Sequence, residues 1–138
     1  MVWREHTQGD IFFTRSIDGG KSFDNTINLS NNAGEYRRSV VVTASSGVVT
    51  NDNLYVAWVD DLSSPNANEI LYRRSINGGV SFGNTINLNN DASNSFSPVA
   101  AAYGDNHVYI ACTSWTEDEI FYKRSVNGGT VFGNTLLT

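Results

Sequence analysis

Residues 14–29 read TRSIDGGKSFDNTINL, residues 73–88 read RRSINGGVSFGNTINL, and residues 123–137 read KRSVNGGTVFGNTLL. The first two stretches agree at twelve of sixteen positions, too many for composition alone to produce in so short a window. A phrase said three times, at a period of roughly 50 residues, marks a repeat architecture. Each phrase carries a Gly-Gly pair, at 19–20, 78–79 and 128–129, and such pairs punctuate a chain. Asn- and Ser-rich stretches such as SNNAGE and NNDASNS break it elsewhere.

Between these breakers lie runs rich in Val, Ile, Tyr and Phe: Val40–Ala44, Leu54–Val59, Ile70–Arg74, Val99–Tyr103, Val108–Cys112 and Ile120–Arg124. By composition and length they are strands. LYVAWV and VAAAY are apolar at every position, which predicts burial on both faces. ILYRRS and IFYKRS turn polar toward their ends. The recurring order is an inner strand, a second buried strand, a third amphipathic strand, the Gly-Gly turn, and an outer strand ending in NTINL. Four antiparallel strands per repeat describe a propeller blade. The expected fold is therefore all-β, with whole blades at 39–88 and 97–138 and a partial blade at 1–30. In the partial blade MVW matches VAW at 56–58 and IAC at 110–112, so an inner strand has no residues upstream.

Within the phrase each residue type has a mechanical use. Asp18, Asn77 and Asn127 can accept backbone N–H groups in an Asx-turn. Gly20, Gly79 and Gly129 permit positive φ. Ser16, Ser75 and Ser125 can bond across the turn, and Phe23, Phe82 and Phe132 are expected to anchor it. Arg15, Arg74 and Arg124 recur beside the serine, so they are expected to make structural pairs that serve the repeat.

This pattern resembles the Asp-box, or bacterial neuraminidase repeat, of general form Ser-x-Asp-x-Gly-x-Thr-Trp. The matching residues are Ser16, Asp18, Gly20, Ser22 and Phe23; Ser75, Asn77, Gly79, Ser81 and Phe82; and Ser125, Asn127, Gly129, Val131 and Phe132. Phe replaces Trp throughout, Asn replaces Asp twice, and Val131 stands where a hydroxyl is usual. Each box follows an acidic-Ile-aromatic strand (DIFF, EILY, EIFY). The resemblance covers essentially the whole chain and implies a sialidase-like propeller. In that family the box is structural and faces away from substrate, so it implies no catalytic role for these residues.

Sialidases hold the sugar carboxylate with three arginines from different blades, and they use a Tyr nucleophile with an Asp acid/base. Their first arginine lies in a Phe/Tyr-Arg-Ile-Pro segment. Here Tyr36-Arg37 continues Arg-Ser-Val, and a complete ring has about six blades. The expectation is a non-catalytic scaffold or binding module, with no catalytic residue assigned. The alternative is part of a sialidase-like glycoside hydrolase whose site needs additional blades.

Across 138 residues the chain is 40% hydrophobic and 17% charged, a globular composition. A net charge of -5 argues against nucleic acid, whose phosphates need clustered Lys and Arg. No apolar run approaches the ~18 residues that cross a bilayer, and MVWREHTQGD lacks a signal-peptide layout. Neither membrane nor leader is therefore expected, and the cellular location is left open. The lone Cys112 reads as a buried small hydrophobe. His6 and His107 lack partners at ligand spacing, so no metal or cofactor is expected and both read as surface or loop residues. Asp60-Asp61 and Glu117-Asp118-Glu119 read as solvated acidic loop residues. The candidate ligand-binding residues are Glu35, Tyr36, Arg37 and Arg38 in one loop and Trp115 in another, opposite the boxes. An Arg pair beside an aromatic suits a carbohydrate or protein ligand. An open arc of blades exposes apolar faces, so the first expected partner is the chain itself, most simply as a dimer closing a ring.

Overall fold

The computed structural model of the chain describes residues 1–31, 37–45, 52–61, 68–89, 94–114, 118–133 and 136–137. Among the described residues there is no helix, and none therefore long and apolar enough to cross a membrane. The strands form three antiparallel sheets. The first holds β1 (Val2–Arg4), β2 (Ile11–Phe13) and β3 (Ile27–Asn28), in that order. The second runs β4 (Arg37–Ser45), β5 (Asn53–Asp61), β6 (Asn68–Ser75) and β7 (Ile86–Asn87). The third runs β8 (Ser95–Tyr103), β9 (His107–Ser114), β10 (Glu119–Ser125) and β11 (Leu136–Leu137). Cross-strand register makes the repeats superimpose: Trp3 faces Phe12, Trp58 faces Leu71, and Cys112 faces Phe121.

The long strands exceed their apolar cores. Each of the six predicted runs gains polar residues at one end or both, because a ladder continues while backbone partners last. Two inner strands also carry a register shift at the same place in the repeat. It lies between Arg38 and Val40 in β4 and between Phe96 and Val99 in β8. Ser39 and Ser97 take positive φ there (36° and 52°), the mark of an extra residue inserted into a ladder.

The middle sheet is covered on both sides. Tyr55, Ala57 and Val59 of β5, with Ile70 and Tyr72 of β6, join Val108, Ile110, Cys112 and Phe121 in one core cluster. The alternate residues Val56, Trp58 and Leu71 join Ile11, Phe13 and Leu29 of the first sheet in a second cluster. Period-two alternation thus sends successive side chains to different neighbours. Burying each of the large ones contributes about 1.5–3 kcal/mol. LYVAWV is buried on both faces as predicted, and Cys112 is buried too.

VAAAY departs from its prediction. In β8 exposure alternates, with Val99 62% and Tyr103 78% exposed. One face of that strand meets the second sheet, and among the described residues the other meets none. An all-apolar strand reads as doubly buried only if both of its neighbours are present.

Candidate functional site

The three Gly-Gly turns build the same hydrogen-bond cage. In the first, Ser16 Oγ accepts the Gly20 N–H at 2.7 Å and donates to Asp18 Oδ1 at 2.7 Å. Asp18 accepts the Ser22 N–H at 2.9 Å and the Ser22 hydroxyl at 2.6 Å. These donors hold the Asp18 carboxyl down at about 2, since hydrogen bonds to the charged form favour it. In the second turn Ser75 Oγ accepts the Gly79 N–H at 2.9 Å and Asn77 Oδ1 accepts the Ser81 N–H at 3.0 Å. The third repeats this at 2.9 Å from Gly129 to Ser125 and 3.0 Å from Val131 to Asn127. Backbone N–H groups do the closing, so Val131 fits where a hydroxyl is usual.

Arg15 and Arg74, each beside its turn serine, reach further than within-repeat pairing. Arg15 Nη1 donates to the Gly78 carbonyl at 2.9 Å, and Arg74 Nη1 donates to the Gly128 carbonyl at 2.7 Å. Each arginine therefore ties its own sheet to the turn of the next sheet. Arg74 also donates to Thr130 Oγ1 at 2.8 Å, and Arg15 pairs with Asp24 at 2.6 Å. The neighbouring Arg73 points the other way, donating to the Leu29 carbonyl at 2.8 Å in the first sheet. Burial lowers its pKa. Adjacent arginines on one strand thus clamp the middle sheet to both of its neighbours.

Aromatic rings complete these joints. Phe13 packs edge-on against Phe82 with ring centres 4.9 Å apart, and Tyr72 packs the same way on Phe132 at 5.1 Å. Beneath the rings lie Gly79 and Gly129, both at positive φ. A Cβ on Gly79 would meet Phe13 at 2.7 Å, and one on Gly129 would run into the Tyr72 hydroxyl. Absence of a side chain is what lets each ring close over its turn. A cavity of about 680 Å³ opens beside the first joint, between Phe13, Arg15 and Ile17 on one side and Val42 and Leu54 on the other.

The first turn differs. Phe23 is 54% exposed, and a Cβ on Gly20 would meet nothing within 4 Å. Phe23 is thus no anchor here: among the described residues no ring closes over its turn. The third sheet is open in the complementary sense. Tyr109 and Tyr122 stack at 6.2 Å just as Tyr55 and Tyr72 stack at 6.4 Å. Yet the second pair is fully buried and the first pair only half-buried, while Arg124 is exposed.

The end of the sheets away from the turns is more polar than the sequence indicated. Asp60, next to last in β5, is fully buried and accepts the Trp58 indole N–H at 3.1 Å. It faces Glu69, also buried, across to β6 and Arg37 across to β4. Reading Asp60 as a solvated loop residue is therefore corrected: the ladder carries it inward, where Trp58 receives it. In the first sheet Asp10 is buried and takes the Asn28 amide at 2.8 Å and the Ser30 hydroxyl at 3.0 Å. The recurring acidic residue before Ile-aromatic was the signal for these polar ends. Arg37 and Arg38 begin β4 rather than lying in a loop, and Arg38 is exposed just before the bulge at Ser39. Glu35, Tyr36, Trp115 and Glu117 lie outside the described residues. Asp118 is an exposed turn residue and Glu119 opens β10.

His107 is not a loop residue either. It opens β9 with its ring between Tyr103 at 6.5 Å and Tyr109 at 6.4 Å. Among the described residues no three His, Cys, Asp or Glu side chains gather as a metal site would require. No family model matches the chain, and no curated protein matches it.

Proposed function

We propose that this chain is a run of Asp-box propeller blades acting as a non-catalytic scaffold that assembles with itself. On this reading each sheet is a blade, and two copies complete a six-blade ring. The observation that carries it is the contrast between the doubly covered middle sheet and the open outer faces of its two neighbours. Exposed apolar faces of this type mark association sites. The polar ends opposite the turns, with Arg37 and Arg38 at the start of β4, then form the surface on which a glycan or protein ligand is carried. Bidentate arginine contacts to carboxylates supply the recognition chemistry there.

Multi-angle light scattering on dilute protein is expected to return twice 15.1 kDa. A sharp, folded species at 15.1 kDa overturns the reading.

A further inference from the structure

We infer that copies of this chain join head to tail, through a third instance of the joint already made twice within it. Tyr122 and Arg124 of one copy receive the Gly19–Phe23 turn of the next. This rests on the self-assembly reading and specifies its interface.

The joint is modular. On its donor side stand an arginine and, two residues earlier, an aromatic ring: Arg15 with Phe13, and Arg74 with Tyr72. On its acceptor side stand a glycine carbonyl, a second glycine beneath the ring, and a phenylalanine on the ring's edge. The two internal instances agree closely, with N–O distances of 2.9 and 2.7 Å and ring separations of 4.9 and 5.1 Å. Their interplanar angles are 70° and 82°. Side chains differing as much as Phe and Tyr give the same geometry, so the joint is set by the repeat and not by one local sequence.

Among the described residues two halves of the joint stand open, one in the third sheet and one in the first. The third sheet presents the donor half, with Arg124 exposed, Tyr122 half-buried, and Tyr122 already stacked on Tyr109 as Tyr72 is on Tyr55. The first sheet presents the acceptor half, with Gly19 and Gly20 exposed at φ 73° and 87° and the space above Gly20 empty. The second and third turns hold their glycines at nearly the same angles, 65° and 83°, then 66° and 72°. The acceptor is therefore already formed before any ring covers it. The two halves differ from each other, so like faces do not match: donor against donor would set Arg124 against Arg124 with no carbonyl between. Contacts between unlike patches propagate as rings or as open chains, according to whether the rotation closes.

The test uses Phe23→Asp to spoil the acceptor and Arg124→Glu to spoil the donor. Both side chains are exposed, so circular dichroism of each variant is expected to match the parent. The milder pair Phe23→Ala and Arg124→Ala replaces any variant that does not. Sedimentation of each variant alone is expected to show association weakened by about 30-fold or more, the scale of a central interface contact. An equimolar mixture of the two variants is expected to recover association in part, because an intact donor then meets an intact acceptor at one of the ring's two joints. A parent dimer that neither variant weakens overturns this interface and leaves self-assembly standing. Weakening without recovery on mixing overturns the head-to-tail arrangement. A parent that stays monomeric overturns the self-assembly reading and this inference with it.

Discussion

The turns at Ser16–Phe23 and Ser75–Phe82 are nearly the same sentence in two settings. Both close through a serine oxygen on a glycine N–H, at 2.7 and 2.9 Å, and both hold their glycines left-handed. Only the second is roofed: Phe13 lies over Gly79 and Phe82 packs on Phe13, while the space above Gly20 is empty. The local hydrogen-bond cage is therefore a property of the phrase, and burial is a property of the neighbour. A repeat protein separates these two contributions within one molecule.

Alanine at the two glycines breaks the comparison most severely. Left-handed backbone costs a non-glycine residue about 1–2 kcal/mol, and this applies equally to Gly20→Ala and Gly79→Ala. At Gly79 the new methyl also meets the Phe13 ring at 2.7 Å and Leu54 at 2.9 Å, and overpacking adds about 1–3 kcal/mol. With copies kept apart by Arg124→Glu, urea unfolding is expected to show a loss of about 3 kcal/mol for Gly79→Ala and about half that for Gly20→Ala. Equal losses would mean that backbone strain, and not the neighbouring sheet, makes the second glycine necessary.

This separation also explains what could be read from the sequence. The strands, the turns and the roles of Ser16, Asp18 and Gly20 depend on residues a few positions apart, so pattern alone reveals them. The joints do not. Arg15 meets Gly78 across 63 positions, and nothing in the phrase says that its arginine serves the next repeat rather than its own. Recurrence at a fixed place was the available signal, and it fits either partner. VAAAY misled for the same reason: Val99 and Tyr103 have the composition of core residues, yet among the described residues no sheet packs on their face. Asp60 misled in reverse. Its charge suggests solvent, whereas its place at the end of a fully apolar strand, two residues after Trp58, carries it inside.

Tyr72 and Tyr122 sharpen the comparison at lower cost to the fold. They occupy the same place in successive repeats, one covered by a following sheet and one not. Among the described residues the Tyr72 hydroxyl is buried without a hydrogen-bond partner. Leaving a polar group so placed costs about 1–3 kcal/mol, so Tyr72→Phe is expected to stabilise the protein by about 1 kcal/mol near neutral pH. Burial also pushes the Tyr72 phenol above its ordinary 10.0. A raised acid keeps its proton longer folded than unfolded, so stability present below pH 10 is lost as pH rises beyond it. Tyr72→Phe should remove that part of the alkaline loss, up to about 1.4 kcal/mol per pH unit. With copies kept apart by Phe23→Asp, Tyr122→Phe should leave the stability near neutral pH unchanged. A Tyr72→Phe protein weaker than its parent at pH 7 would show that the hydroxyl is satisfied after all.

The smallest effect is the most local. Asp18 stands where the other two turns carry Asn77 and Asn127, so only the first turn can titrate. Hydrogen bonds from Ser22 and Ser16 hold its carboxyl at about 2, against an ordinary 3.8. A depressed carboxyl contributes stability that is complete above the unfolded value and is lost as pH falls from 3.8 toward 2. Because Asp18 is exposed, this loss stays within its turn and leaves the two core clusters intact. In an amide NMR titration the Ser22 N–H is expected to move with a midpoint near 2, while the Ser81 and Val131 amides stay still. Asp18→Asn should abolish the Ser22 transition without moving the turn, since asparagine already closes the other two through the same oxygen. A Ser22 midpoint at the ordinary 3.8 would show that the first turn, lacking a roof, does not hold its cage in solution. The hydrogen-bond network would then depend on the neighbouring sheet as burial does, and the two contributions would not be separable.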